Sequence, residues 1–138
     1  MLEAIDAFCE RTGQEKPEND AQVIRLIFES LALRYRQVLE DLDRIATHPI
    51  ERLHIIGGGS KNRLLNQLTA NAIGRKVVAG PSEATAIGNV MIQAMAAGVV
   101  SSLQEMRSII HASVETEEFA PELVAEWEEA YQKFVTLK

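Results

Sequence analysis

LHIIGGGSKNRLLNQLTANAIGRKVVAGPSEATAIGN, from Leu53 to Asn89, alternates two kinds of segment separated by glycines. Arg52 to Ile56 (RLHII) predicts a short strand, because branched and long apolar residues suit an extended pleat. It runs directly into Gly57-Gly58-Gly59. From Asn62 to Ile73 the apolar residues Leu64, Leu65, Leu68 and Ala72 recur at helical spacing, and Gly74 supplies a C-terminal stop. Lys76 to Ala79 (KVVA) predicts a second strand, closed by Gly80-Pro81. A further helix is expected from near Ser82, read as its cap, to about Ala97, with Glu83 at the positive end of its dipole. Strand, helix, strand, helix is the order of a parallel α/β layer.

Outward from this centre the pattern is helical. Leu2, Ile5, Phe8 and Cys9 share one side of a helix stopped by Gly13. Asn19 or Asp20 can cap a long helix that carries Ile24, Phe28, Leu31, Tyr35, Val38, Leu42 and Ile45 at alternating spacings of four and three. Val23, Ile27, Leu33 and Leu39 widen that stripe, so a core helix wedged between other elements is expected, ending at His48-Pro49. Leu103 to His111 and Glu122 to Phe134 predict two more helices. The glutamates after Val114 read as the solvent face of the last one, with Leu123, Trp127, Ala130, Tyr131 and Phe134 buried. Two short strands leave these helices short of a sheet, since sheets usually hold about five or six strands. The chain therefore reads as part of something larger, and self-association through the incomplete sheet is expected.

The 138 residues are 46% hydrophobic and 25% charged, which fits a folded domain and excludes a disordered tail or a disulfide-stapled miniature. No apolar run approaches the roughly 20 residues of a membrane span, so no membrane partner is expected. Met1 leads into an acidic amphipathic stretch rather than a signal peptide, and the single Cys9 suits a reducing, cytoplasmic setting. The net charge of −6 argues against nucleic acid. Charge is unevenly spread: Arg52 to Ser82 holds five basic residues and no acidic one, whereas Ala112 to Gln132 holds seven glutamates and no Lys or Arg. A basic stretch that coincides with a glycine cluster can attract a small anion, or can be a run of solvated charges.

Gly57-Gly58-Gly59 between a strand and a helix removes each Cβ where the chain turns, so the backbone can approach a flat or charged ligand. A tight turn without a ligand is the alternative. The dinucleotide fingerprint fails because its third glycine position falls on Asn62, and no Gly-Lys-Ser/Thr completes a Walker A loop. Small residues at Ala84, Ala86, Gly88, Ala94 and Ala97 allow close approach of a backbone or ligand, or ordinary helix packing. His48, His54 and His111 are scattered, and no metal site is expected.

Taken together, GGGxxN–LLNQ and AGPxEATAxGN, at this separation, resemble the C-terminal domain of the FGGY carbohydrate kinases, nearest their rhamnulokinase branch. The resemblance extends over most of residues 1–138. It implies a partial actin-like/ribonuclease-H-like ATPase domain, α/β and helix-rich, with a short parallel sheet. It also implies ATP-dependent phosphorylation of a ketose, L-rhamnulose to L-rhamnulose 1-phosphate, with Mg²⁺ carried by the nucleotide. By position, Gly58 and Gly59 would offer backbone to the nucleotide, and Asn62 would sit near the purine edge, where an amide is both donor and acceptor. Lys61 and Arg63 match no motif and read as solvated charges.

In the family the catalytic Asp, the sugar site and the N-terminal phosphate loop lie upstream of the matched region. Phosphoryl transfer needs such a carboxylate, so this chain alone is expected to be inactive, its N-terminal domain lying elsewhere. A non-catalytic adenine-nucleotide-binding module and a helical interaction protein remain as other readings.

Overall fold

The structure, a computed structural model, describes residues 1–137. The chain opens with α1 (Leu2–Thr12), which ends on Gly13 in the left-handed region, and a polar loop leads to α2 (Asp20–Ile45). Asn19 caps α2 by accepting from the Gln22 amide at 3.0 Å, as its short polar side chain predicts. Next come β1 (Arg52–Ile55), a four-residue 3-10 turn (Gly58–Lys61), α3 (Arg63–Ile73) and β2 (Lys76–Ala79). The chain closes with α4 (Ala84–Ala96), α5 (Leu103–Ser113), β3 (Glu117–Phe119) and α6 (Val124–Thr136). Both expected strands are present, and β1 pairs in parallel with β2, Arg52 opposite Lys76 and Ile55 opposite Ala79.

The sheet is nonetheless mixed rather than parallel. β3 runs antiparallel to β2 on its far side, with Phe119 opposite Val77 and Glu118 opposite Val78. The expectation that the glutamates after Val114 belong to a helix face is corrected for Glu117 and Glu118, while Glu126, Glu128 and Glu129 do lie exposed on α6. Three residues are too few to show alternation, and two of them are charged, as suits a sheet edge. Glu118 bonds Lys76 across the pair at 2.7 Å, which holds its carboxyl below the usual range. The last helix starts at Val124, later than expected, after Leu123, whose backbone is left-handed (φ 52°) and whose side chain is exposed rather than buried.

The helices are also less enclosed than their stripes imply. α2 ends at Ile45, ahead of His48-Pro49, and buries Ala32, Leu33 and Leu39, while Ile24, Leu31, Tyr35, Val38, Leu42 and Ile45 stay exposed. One flank packs against α3, α6 and the sheet while the rest of the stripe faces solvent, so α2 is only partly enclosed. α4 begins at Ala84 with Glu83 as its first flanking residue, and neither Ser82 nor Glu83 caps it through a side chain.

Two apolar clusters hold the chain together. Ala32, Leu33, Leu68, Ala72, Trp127 and Tyr131 join α2, α3 and α6, with Phe28 and Phe134 against them. Leu39, Ala70, Ile73, Val77, Ala79 and Phe119 join α2 and α3 to one face of the sheet. Each large side chain fully buried there contributes about 1.5–3 kcal/mol. At the first cluster's edge the Arg36 guanidinium lies over the Tyr131 ring, 3.9 Å from its centroid, and bonds Glu40 and Glu128. The Tyr131 hydroxyl donates to Glu40 at 2.7 Å. Burial, then that bond, pushes the phenol up to about 12.

Candidate functional site

β1 and β2 deliver their C-terminal ends to the same side of the sheet, the side on which open α/β layers place ligands. Two loops meet there. The Gly80 amide donates to Ile55 O at 2.8 Å, and the Gly57 amide donates to Pro81 O at 3.0 Å, so each loop is tied to the other by one backbone bond. Gly57 has φ 80° and ψ −166°, a conformation that an L side chain strains to adopt. At Gly80 an added Cβ would meet Ile56 Cγ2 at 3.2 Å. These two glycines serve the crossing of the loops.

Gly58 and Gly59 carry no such constraint. They open the 3-10 turn, both are exposed, and a Cβ on either would meet nothing within 4 Å. Their backbone faces open space, with amides at the start of a turn where intrahelical partners are lacking. An open groove of ≈ 730 Å³ begins at the next two residues, Ser60 and Lys61, and is lined further by Ala79 to Glu83 with Ile87. The rest of its wall is Ser113 to Glu117, the link from α5 to β3. Sequence reasoning missed that wall, because nothing local ties residues 113–117 to a glycine turn more than fifty positions earlier.

Asn62 sits at the end of the turn, and its side-chain oxygen accepts from the Leu65 amide at 3.1 Å, capping α3. That bond uses one lone pair of the oxygen, and the carboxamide NH₂ has no hydrogen-bond partner among the described residues. Ser60 and Asn66, neither singled out from sequence, are the buried polar residues closest in sequence to the glycines. Asn66 is the Asn of the LLNQ segment, to which the sequence reading gave no role, and Ser60 lies in the glycine turn itself.

The basic stretch is mostly spent internally. Arg75 donates to both carboxylate oxygens of Asp43, at 3.0 and 2.6 Å, and to Ile50 O at 2.8 Å, holding the Asp43 carboxyl below its usual range. Arg63 pairs with Glu117, and Lys76 with Glu118. Arg63 is therefore partnered rather than merely solvated. Lys61 is the basic residue in the groove lining, which also includes Glu83, Glu115 and the Arg63-paired Glu117. Such a groove suits a neutral, hydrogen-bonding moiety better than a polyanion. At Gly88 in α4 an added Cβ would meet nothing within 4 Å, so this glycine serves no close approach among the described residues. Among the described residues no His, Cys, Asp or Glu side chains are grouped as a metal site, and no helix is long and apolar enough to cross a membrane.

The family model described as the FGGY family of carbohydrate kinases, C-terminal domain, matches residues 2–97. This chain belongs to that family. Among its FGGY relatives, a rhamnulokinase of Bacteroides thetaiotaomicron is 58% identical over 134 residues, 97% of this chain and 28% of the relative. A rhamnulokinase of Klebsiella pneumoniae is 45% identical over 121 residues, 88% of this chain and 25% of the relative. The chain thus spans about a quarter of the length of these curated relatives. The crystal structure of a xylulose kinase from Rhodospirillum rubrum superposes with a TM-score of 0.71 at 23% identity, over 91% of this chain and 25% of that one. That likeness gives the fold: that of part of the xylulose kinase, helix-rich with a small mixed sheet. The groove wall formed by Ser113 to Glu117 lies beyond the stretch that the FGGY family model matches.

Proposed function

We propose that this chain is the C-terminal nucleotide-binding domain of an ATP-dependent ketose kinase, and that it seats the nucleoside end of ATP. The carrying observation is the pair Gly58 and Gly59, open to solvent beside a groove at the C-terminal ends of β1 and β2. With no Cβ on either residue, a purine can lie against the turn, and backbone amides and the Asn62 NH₂ can donate to its ring nitrogens. With Glu117 paired to Arg63, Lys61 is left with Glu83 and Glu115 in the lining, a balance that favours the uncharged nucleoside in the groove and the phosphates outside it.

The rhamnulokinases among the relatives support L-rhamnulose as the ketose and L-rhamnulose 1-phosphate as the product. Mg²⁺ enters with the nucleotide and neutralises its phosphate oxygens; no residue here is assigned to it. The carboxylate that accepts the sugar's proton is assigned to the kinase's N-terminal domain, so residues 1–138 do not turn over alone. The setting is cytoplasmic, in keeping with the ATP substrate and with Cys9, buried and free. Self-association is proposed through the outer edge of β1, which has no partner strand among the described residues.

Calorimetric titration of the chain with ADP tests the site: binding is expected, and Gly58→Val should abolish it by filling the space over the turn. A wild-type chain that takes up no adenine nucleotide would refute the reading. With ATP and L-rhamnulose the chain alone should release no ADP, and adding a rhamnulokinase N-terminal portion should restore release. A non-catalytic module would bind but never be complemented. For self-association, a sedimentation coefficient constant over a wide range of concentration would count against the edge contact.

A further inference from the structure

Asn66 is completely buried in the first turns of α3, yet only half of its carboxamide is satisfied. Its NH₂ donates to Ser60 O at 2.8 Å, whereas its side-chain oxygen finds no partner among the described residues. For packing alone, a leucine here would fill the space without an orphaned acceptor. The amide is explained by its donor. Ser60 O lies where the 3-10 turn gives out before α3 begins, so helical bonding leaves this carbonyl to be met from elsewhere.

From Ser60 the bonding continues outward. The Ser60 hydroxyl, itself in a nearly buried residue, donates to Gly57 O at 2.8 Å, and the Ser60 amide donates to the same oxygen at 3.0 Å. The Gly57 amide in turn donates to Pro81 O at 3.0 Å. One chain of bonds therefore runs from the interior of α3, through the glycine turn, to the loop that lines the groove. Gly58 and Gly59 sit between its fixed points, and have no side chains of their own to hold them.

We infer that Asn66 is the positioning residue of the groove: through Ser60 it locks the glycine turn in the shape that presents Gly58 and Gly59. Its value for nucleotide binding rests on the function proposed above. Ligand affinity is then set partly by a residue that touches no ligand, because a preorganised turn loses less freedom on binding.

The test uses Asn66→Leu, and Ser60→Ala as a milder break of the next bond, each in the whole chain. Amide hydrogen exchange is read at residues 57–61 and across α2, with ADP affinity alongside. Losing one such bond should speed exchange in the turn about tenfold and weaken ADP binding about tenfold, with α2 protection unchanged. Native exchange in the turn of either variant overturns the inference. So does protection lost evenly across α2 and α3, which marks a merely structural role, and so does a loosened turn with native ADP affinity. If the wild type takes up no ADP, the nucleotide reading falls, while the exchange measurement still decides what Asn66 holds.

Discussion

α3 and α4 each follow one of the two parallel strands, and they have opposite fates. α3 carries Arg63, Asn66, Gln67, Thr69 and Asn71 among its eleven residues, yet it buries everything from Leu68 to Ile73, and Asn66 besides. α4 has no charged residue in thirteen, yet none of its side chains is buried, and Val90 and Ile92 are more than half exposed. Apolar content alone therefore does not predict burial. α3 is enclosed because α2, α6 and the sheet converge on it, and apart from the Asn66 oxygen its buried polar side chains are bonded: Thr69 donates to Leu65 O, and Asn71 accepts from Gln67 and from the Glu122 amide. α4 meets α5 and little else.

If that contrast is right, the largest loss comes from the α3 side. Trp127→Ala removes a side chain 8% exposed from the α2–α3–α6 cluster and should cost about 3–5 kcal/mol in urea unfolding. A loss below about 1 kcal/mol would mean that this cluster is not the chain's main support.

Asn62 sharpens the boundary between support and site. Asn62→Ala removes the α3 cap and should cost about 0.5–2 kcal/mol. Asn62→Asp keeps a capping oxygen but loses the NH₂, so stability should hold while ADP affinity falls. Equal ADP affinity in Asn62→Asp and wild type would reduce Asn62 to a cap.

Tyr131→Phe deletes the bond to Glu40 and should cost about 0.5–1.5 kcal/mol at neutral pH. The phenol's folded pKa is raised from 10.0 to about 12, so its protonated form is favoured by folding. That contribution is complete below pH 10 and is lost as pH rises through about 12. Alkaline unfolding in this window should be steeper for wild type than for Tyr131→Phe, and coincident curves would contradict the assignment.

The smallest effect belongs to α4. Ile92→Gln should change stability by less than about 0.5 kcal/mol, because the side chain is already in water. A cost near that of Trp127→Ala would erase the contrast between the two helices.

The centre of the fold was legible because its signals are local. RLHII and KVVA form strands at the expected positions, Gly13 and Gly74 end helices in the left-handed region, and Asn19 caps α2. The glycine turn lies where the sequence places it, directly after β1. The third strand was hidden by its length and charge, Ser82 by a helix that starts two residues later, and the groove wall at 113–117 by its distance along the chain. The stripe on α2 was read correctly as a periodicity and wrongly as a measure of enclosure.

By itself, then, the sequence determined the backbone path from Arg52 to Asn89, and with it the family, since φ, ψ and capping depend on a residue and its near neighbours. Tertiary structure alone decided that Phe119 joins the sheet, that Asn66 reaches Ser60, and that α3 rather than α4 is buried. Burial depends on which distant elements arrive, and a helix carries no record of its neighbours in its own apolar pattern.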